Sequence, residues 1–582
     1  MARDRPVCRA LFLLVGLLVT PLTWAERCPG SQTAEKQLLW GDLHVHTTHS
    51  LDAWAFGAQA SPRDAYAFAR GKPLRLANGD IKTIDRPLDF AAVTDHAETW
   101  DLMYLCTDPV YADEAYCSGL RALHRERESR RIFNDYLLPI VGSENPVAPG
   151  VCDVAGYDCT AAREKAWQRV QAVANEANEP CEFTTFIGYE WTGSPGGLHW
   201  HRNVLFASEQ VTPEAYDYIR FPKVQQLWQQ LRDHCRDDAG CDVLTIPHNI
   251  NWADGGETFA VEDESDAQWH LRARYERLAE IYQEKGASEC LPIERGLLDA
   301  DCSFDLVQMN AARERLSGRD TSPPQVAWGR ARSSYYRSLL GRGLRASASS
   351  AEGFNPLMLG AIGSTDTHFG TPGRVAEADY DRGISTLLAS DEQQLRNPAF
   401  NPGGLVAVWA PENTRAAIFA ALHRREAYAT SGPRIALRFG QAQRGHCARP
   451  DAQVAVSMGG TISAAPQAGL WFVVQAAKDY VPLRTVQIIK GQYVEGTYHE
   501  DVVTVQTAER PAEGDVSALC VEWQDEAFDP DVPAYWYARV LEAPTPRWSK
   551  LLCERAKICQ EYPDADRMIQ ERAWSSPIWW LP

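Results

Sequence analysis

The sequence predicts an α/β fold, a βα barrel with a polynuclear metal site at one end. Three observations predict it. Near-continuous apolar runs of strand length recur between residues 38 and 363, as expected for a sheet buried on both faces. Segments with apolar residues near helical spacing fall between them, over 161–177, 222–235 and 325–341. Each strand-like run also gives way at once to a residue type that binds metals, and a βα barrel carries its site at the strand C-terminal ends.

Taken in order, Arg3, Arg5 and Arg9 precede an apolar run from Leu11 to Leu22, followed by Thr23-Trp24-Ala25. This reads as a signal peptide over 1–25. The run is shorter than the ~20 residues of a comfortable membrane span and is broken by proline. The mature chain is therefore expected in the periplasm or outside the cell, with no stable membrane insertion. Leu38–Leu43 leads into His44-Val45-His46, and Leu88–Val93 into Thr94-Asp95-His96. Phe183–Tyr189 ends at Glu190, Val243–Pro247 at His248, and Leu359–Gly363 runs into Ser364-Thr365-Asp366-Thr367-His368. Residues 100–180 and 255–345 read as insertions that would wall the site. Beyond 436, short runs at Leu470–Val474, Thr485–Ile489 and Trp536–Val540 are separated by Gly, Asp and Pro. The expected organisation is a barrel domain over 26–435 and a β-rich subdomain over 436–582.

Charge narrows the partners. Lys+Arg total 58 against 77 Asp+Glu, a net −19, which argues against a nucleic acid polymer bound through counterion release. A small anionic substrate in a metal site stays compatible with that balance. Removing Cys8 with the signal leaves fourteen of the 15 cysteines, an even number suited to disulfides in an oxidising compartment. Near neighbours suggest Cys106–Cys117, Cys152–Cys159, Cys235–Cys241, Cys290–Cys302 and Cys553–Cys559. The absence of any CxxC pair argues against zinc-ribbon and thioredoxin-like folds.

Of fourteen histidines, eight lie in or beside these motifs: 44, 46, 49, 96, 199, 201, 248 and 368. In a strand, i and i+2 share a face, so His44 and His46 can grip one cation, and Asp366 with His368 repeats the spacing. Imidazole and carboxylate together suit Zn, Mn or Fe.

HVH at 44–46, TDH at 94–96, Glu190 in GYEW, HRN at 201–203, PHN at 247–249 and STDTH at 364–368 follow one another in a familiar order. With YATSGPR at 428–434 and WYARVLEAPTPRWS at 536–549, the sequence resembles the polymerase-and-histidinol-phosphatase (PHP) superfamily. The resemblance is strongest to a large exported bacterial branch catalogued as a domain of unknown function. It implies a distorted seven-stranded (β/α)7 PHP-type barrel with insertions, holding two or three divalent metal ions. The implied ligands are His44, His46, Asp52, His96, a bridging Glu190, His201, His248, Asp366 and His368, with His201 preferred to His199 for its HRN context. Asp95 is either a general acid or base or an acceptor that orients a ligand ring. Arg434 is either a clamp for an anionic oxygen or a strand-edge ion pair. Asn249 and Asn251 either orient substrate or satisfy a loop. Such a site lowers the pKa of a bridging water from ~16 towards ~7, and the hydroxide attacks a phosphomonoester or phosphodiester. The alternatives are hydrolysis of a carboxylic ester, amide or lactone, a catalytically silent metal-stabilised binding protein, and an exported scaffold whose C-terminal segment binds glycan or envelope.

Overall fold

The computed structural model describes residue 28 and residues 35–107, 114–253, 255–291, 299–307, 333–380, 389–396, 398–449, 453–507 and 517–582. The signal-peptide reading of 1–25 and the first part of the helix expected at 325–341 lie outside these residues.

The fold is mixed α/β. Strand β1 (Gln37–Asp42) pairs in parallel with β2 (Phe90–Ala92), and β2 pairs in parallel with β3 (Thr184–Trp191). The next two strands depart from an all-parallel sheet. β4 (Arg202–Phe206) is antiparallel to β3, and β5 (Val243–Pro247) is antiparallel to β4. The cause is local: residues 192–201 are too few for the helical crossover that parallel neighbours need. β6 (Leu278–Gln283) and β7 (Gly360–Gly363) form a second, parallel pair. Past their ends, Val45 bridges Thr367 in parallel, which links the exits of β1 and β7. β6 lies within the segment read from sequence as an insertion.

On the other side of β1, β8 (Leu405–Ala410) and β9 (Ala427–Thr430) add antiparallel strands. β7 passes close to their ends, and a Cβ on Gly363 would lie 2.9 Å from the carbonyl oxygens of both Leu405 and Thr430. The helices Cys159–Ala177 and Val224–His234 match the expected spacing, and Tyr336–Ser349 overlaps the described part of the helix expected at 325–341. Leu39, Leu43, Phe90, Phe186, Leu205, Leu244, Ile362 and Val406, all buried, pack together inside the strands. They leave the strand ends to polar residues.

The C-terminal portion is β-rich. β10 (Ala436–Ala442), β11 (Leu470–Ala477) and β14 (Ala518–Asp525) form one antiparallel sheet. β12 (Leu483–Val494), β13 (Thr497–Thr507), β15 (Ala534–Glu542), β16 (Arg572–Ser575) and β17 (Ile578–Trp580) join the large sheet instead. The junction is β16, antiparallel to both β9 and β15, so hydrogen bonding runs on across residue 435. All five disulfides expected from near neighbours are present, joined by Cys28–Cys181 and Cys447–Cys520. No helix among the described residues is long and apolar enough to cross a membrane.

Candidate metal centre

The strand exits converge. β1 ends at Asp42, whose carboxylate accepts from the backbone N–H of His44, Thr365 and Gly373 and from the Thr365 hydroxyl. Burial pushes its pKa up to about 6 against those hydrogen bonds. One acid thus splices the turn after β1 to the turn after β7 and sets His44, His46, Asp366 and His368 side by side. Asp366 and Asn249 take left-handed backbone conformations, φ 55° and 52°. Asn and Asp tolerate that region better than other side chains, and such strain collects at functional sites.

Three groups of donor atoms result. In the first, His44 Nε2 lies 3.1 Å from His46 Nε2, 3.2 Å from Glu190 Oε2 and 3.3 Å from Asp366 Oδ1. His46 Nε2 lies 3.3 Å from that glutamate oxygen and 3.2 Å from that aspartate oxygen. These are five of the six edges of a near-regular tetrahedron. The centre of such a figure lies ~2.0 Å from each corner, the bond length of zinc to imidazole nitrogen or carboxylate oxygen. In the second group, the other oxygen of the same glutamate, Glu190 Oε1, lies 2.9 Å from His201 Nδ1 and 3.3 Å from His248 Nε2. In the third, Asp52 Oδ2 lies 3.1 Å from His96 Nε2 and 3.3 Å from His368 Nε2.

The backs of the rings fix which nitrogen faces inward. His44 Nδ1 meets Glu280 at 3.1 Å, His46 Nδ1 meets Ser50 Oγ at 3.0 Å, and His96 Nδ1 meets Thr192 Oγ1 at 2.6 Å. His201 Nε2 meets Ser194 Oγ at 2.7 Å, and His368 Nδ1 meets the Asp366 carbonyl at 2.8 Å. This is how ligating imidazoles are held in other metal sites. Burial disfavours charge on every one of these groups, but the neighbours outweigh it at several. Asp366 and Glu280 hold His44 well above the usual imidazole range. The histidines around Glu190 and Asp52 hold both carboxyls well below theirs. Asp52 raises His368 to about 9, whereas burial prevails at His201 and lowers it to about 4.

Divalent cations fit these residues. The buried Asp366 Oδ1 and both ring nitrogens of His248 have no well-formed hydrogen bond among the described residues. Buried polar atoms are costly without a partner. Two imidazole nitrogens 3.1 Å apart, each with its other nitrogen engaged behind it, also repel unless a proton or a cation lies between them. Imidazole and carboxylate donors in these clusters suit a divalent metal.

Nine of the residues named from sequence come together here: His44, His46, Asp52, His96, Glu190, His201, His248, Asp366 and His368. His199 stacks on His201 at 4.3 Å between centroids and faces Trp252, so it belongs to the rim. Asp95 stands one layer back. Its oxygens accept from Thr47 N, Thr47 Oγ1 and Ser50 Oγ, each at 2.7 Å, and Ser50 in turn holds His46. That geometry matches the reading of Asp95 as an acceptor that orients a ligand ring through Ser50. Of the two readings of Arg434, the clamp finds no donor group near it. Its guanidinium donates to the carbonyls of Arg86 and Pro87, before β2 begins, at the opposite end of the strands from the donor atoms. Asn251 satisfies a loop by donating to the Lys285 carbonyl.

Sequence reading missed four buried residues in and after β6: Glu280, Gln283, Glu284 and Lys285. Glu284 lies 3.2 Å from His368 Nδ1, Gln283 Nε2 donates to Asp366 Oδ2 at 2.6 Å, and Lys285 Nζ pairs with the same oxygen. A signal was present, because Leu278-Ala279-Glu280-Ile281-Tyr282 sets a glutamate in a short apolar run much as Glu190 is set in its own.

The sequence matches the family described as "Protein of unknown function (DUF3604)" over residues 33–518 and 507–582. No curated protein matches it. Among solved structures, it is similar to a two-domain protein from Bacteroides vulgatus containing a predicted PHP-like metal-dependent phosphoesterase. The two are 11% identical over 88% of this chain and 94% of that one, with a TM-score of 0.29. A score of that size establishes no shared fold.

Proposed function

We propose, for a chain that belongs to the DUF3604 family of proteins of unknown function, that it is a metal-dependent phosphoesterase with a PHP-like distorted barrel made by β1 to β7. The observation that carries this reading is the placement of Glu190, one oxygen in each of two donor groups with neighbours 2.9–3.3 Å away. A carboxylate so placed would be shared by two ions. His44, His46, Glu190 and Asp366 would hold the first, Glu190, His201 and His248 a second, and Asp52, His96 and His368 a third. Divalent ions bound here would supply an activated water and neutralise charge on a phosphoryl oxygen.

The protein's own residues do the rest. Glu280, Ser50, Thr192 and Ser194 keep the donor nitrogens aimed inward and fix their tautomers. The apolar strand core behind the site excludes water from one side, which strengthens every charge interaction within it. Access is from the side of Asp52, His96 and His201, whose side chains keep 10%, 7% and 8% of their exposure while those of His44 and His248 keep none. Seven disulfides support an oxidising compartment, periplasmic or extracellular. The substrate is then a small anionic ester.

The test is elemental analysis of the mature protein, followed by assay with 4-nitrophenyl phosphate and bis(4-nitrophenyl) phosphate, with chelation and add-back of Zn, Mn and Fe. Two to three ions per chain, with turnover that follows their removal and return, is the expected result. A metal-replete protein that cleaves neither ester would overturn the phosphoesterase reading.

A further inference from the structure

We infer that Lys285 contacts the substrate, donating from its ammonium group to a terminal oxygen of a phosphoryl group, and that a phosphomonoester is therefore the preferred substrate. The inference rests on the phosphoesterase reading above and narrows it.

Lys285 follows β6 at the same end of the strands as the donor groups. Its Nζ pairs with Asp366 Oδ2, the oxygen turned away from the first group and also held by Gln283. The nearest Glu284 oxygen, next to His368 of the third group, lies 4.0 Å from Nζ, beyond hydrogen-bonding distance. The ammonium therefore stands where two donor groups adjoin. Its side chain keeps 9% of its exposure, comparable with Asp52, His96 and His201.

An ammonium group has three N–H donors. Asp366 takes one, and among the described residues no second acceptor lies within reach. Donors this poorly hydrated are costly unless an acceptor arrives. A phosphoryl oxygen held over the donor groups is such an acceptor, and it is negatively charged. A monoester keeps three non-ester oxygens and a diester two. When two of them face ions, only the monoester has one left for Lys285.

The experiment compares wild type, Lys285→Met and Lys285→Arg in the full mature chain. The readouts are metal content, calorimetric binding of inorganic phosphate, and KM and kcat on 4-nitrophenyl phosphate and bis(4-nitrophenyl) phosphate. Lys285→Met should keep its metal yet weaken phosphate binding and raise the monoester KM by roughly 10- to 100-fold, the loss of one hydrogen bond to a charged group. Its diester kinetics should fall clearly less than its monoester kinetics, and Lys285→Arg should restore part of the monoester binding. Loss of metal in Lys285→Met would reduce the residue to a positioner of Asp366 and overturn the inference. So would equal losses on the two esters, or equal phosphate binding by wild type and variant. Wild type that binds phosphate but cleaves neither ester would sink the phosphoesterase reading, leaving the phosphate comparison to judge Lys285. Wild type that does neither would sink both.

Discussion

Glu190→Gln exchanges one carboxylate oxygen for an amide nitrogen at a position 1% exposed, with almost no change in volume. The apolar neighbours in β3 are untouched, so any effect is electrostatic and coordinative. Four donors around a structural zinc are together worth about 10–16 kcal/mol, or ~3 kcal/mol each. Losing one weakens an ion by roughly 100-fold. Because Glu190 faces two donor groups, the ion left facing the amide nitrogen forfeits about 2.7 kcal/mol of binding-linked stability at concentrations that saturate the wild type, and its neighbour keeps an oxygen but loses the shared negative charge. The assay is chelator competition with elemental analysis, followed by thermal melts with and without added metal. We expect fewer ions per chain, a lower Tm in metal, and matching melts in chelator. A variant that keeps its full metal content and its chelator resistance would refute the bridging geometry.

Glu280→Gln removes the anion behind His44 Nδ1, 3.1 Å away, and should weaken metal binding by about 10–100-fold without emptying the whole centre; chelator competition measures it. Arg434→Ala should leave metal content and turnover unchanged while lowering stability by about 1–2 kcal/mol through its lost bonds to two carbonyls, read by urea denaturation. Burial beside Asp479 raises Glu542 to about 7, so the native state keeps a proton that the unfolded chain releases. Stability should therefore fall as pH rises from about 4.5 to 7 and level off above, and Glu542→Gln should remove that slope, a difference on the order of 2 kcal/mol between pH 5 and 8 in denaturant titrations.

Much of the centre was legible because its donors sit where strands end. Apolar runs such as Leu88–Val93 mark buried strands, and a histidine or acid just past one has few other places to go. His201 was legible only through its HRN context, since it precedes β4 rather than following it. With β4 reversed, the N-terminal end of that strand lies beside the C-terminal ends of β1, β2 and β3, and no single-sequence pattern announces the reversal. Glu280 was missed because charge inside a short apolar run hid the strand, and with it Glu284 and Lys285. Arg434 was misplaced because a Gly-Pro-Arg turn has no direction in sequence. Cys28–Cys181 and Cys447–Cys520 span 153 and 73 residues and had no near neighbour to suggest them.

Behind β6, Glu289 is buried and accepts from Arg337, Tyr537, Arg539 and Trp574. Asp299 binds both of those arginines, and the Cys290–Cys302 bridge closes the loop that carries it. Arg539 and Trp574 lie 250 and 285 residues further along the chain from Glu289. At 5–20 residues per second, a ribosome needs roughly 12–60 s to supply them after Glu289 emerges. Until then Glu289 lacks Tyr537, Arg539 and Trp574, three of its four partners, and β16 has not yet reached β9. This buried cluster is therefore completed only when the last strands emerge, and until then Arg337 is shared by Glu289 and Asp299 without the second arginine. A shortened chain ending near residue 435 would lack those three partners and the strand that pairs with β9, leaving a buried acid and a sheet edge open to water.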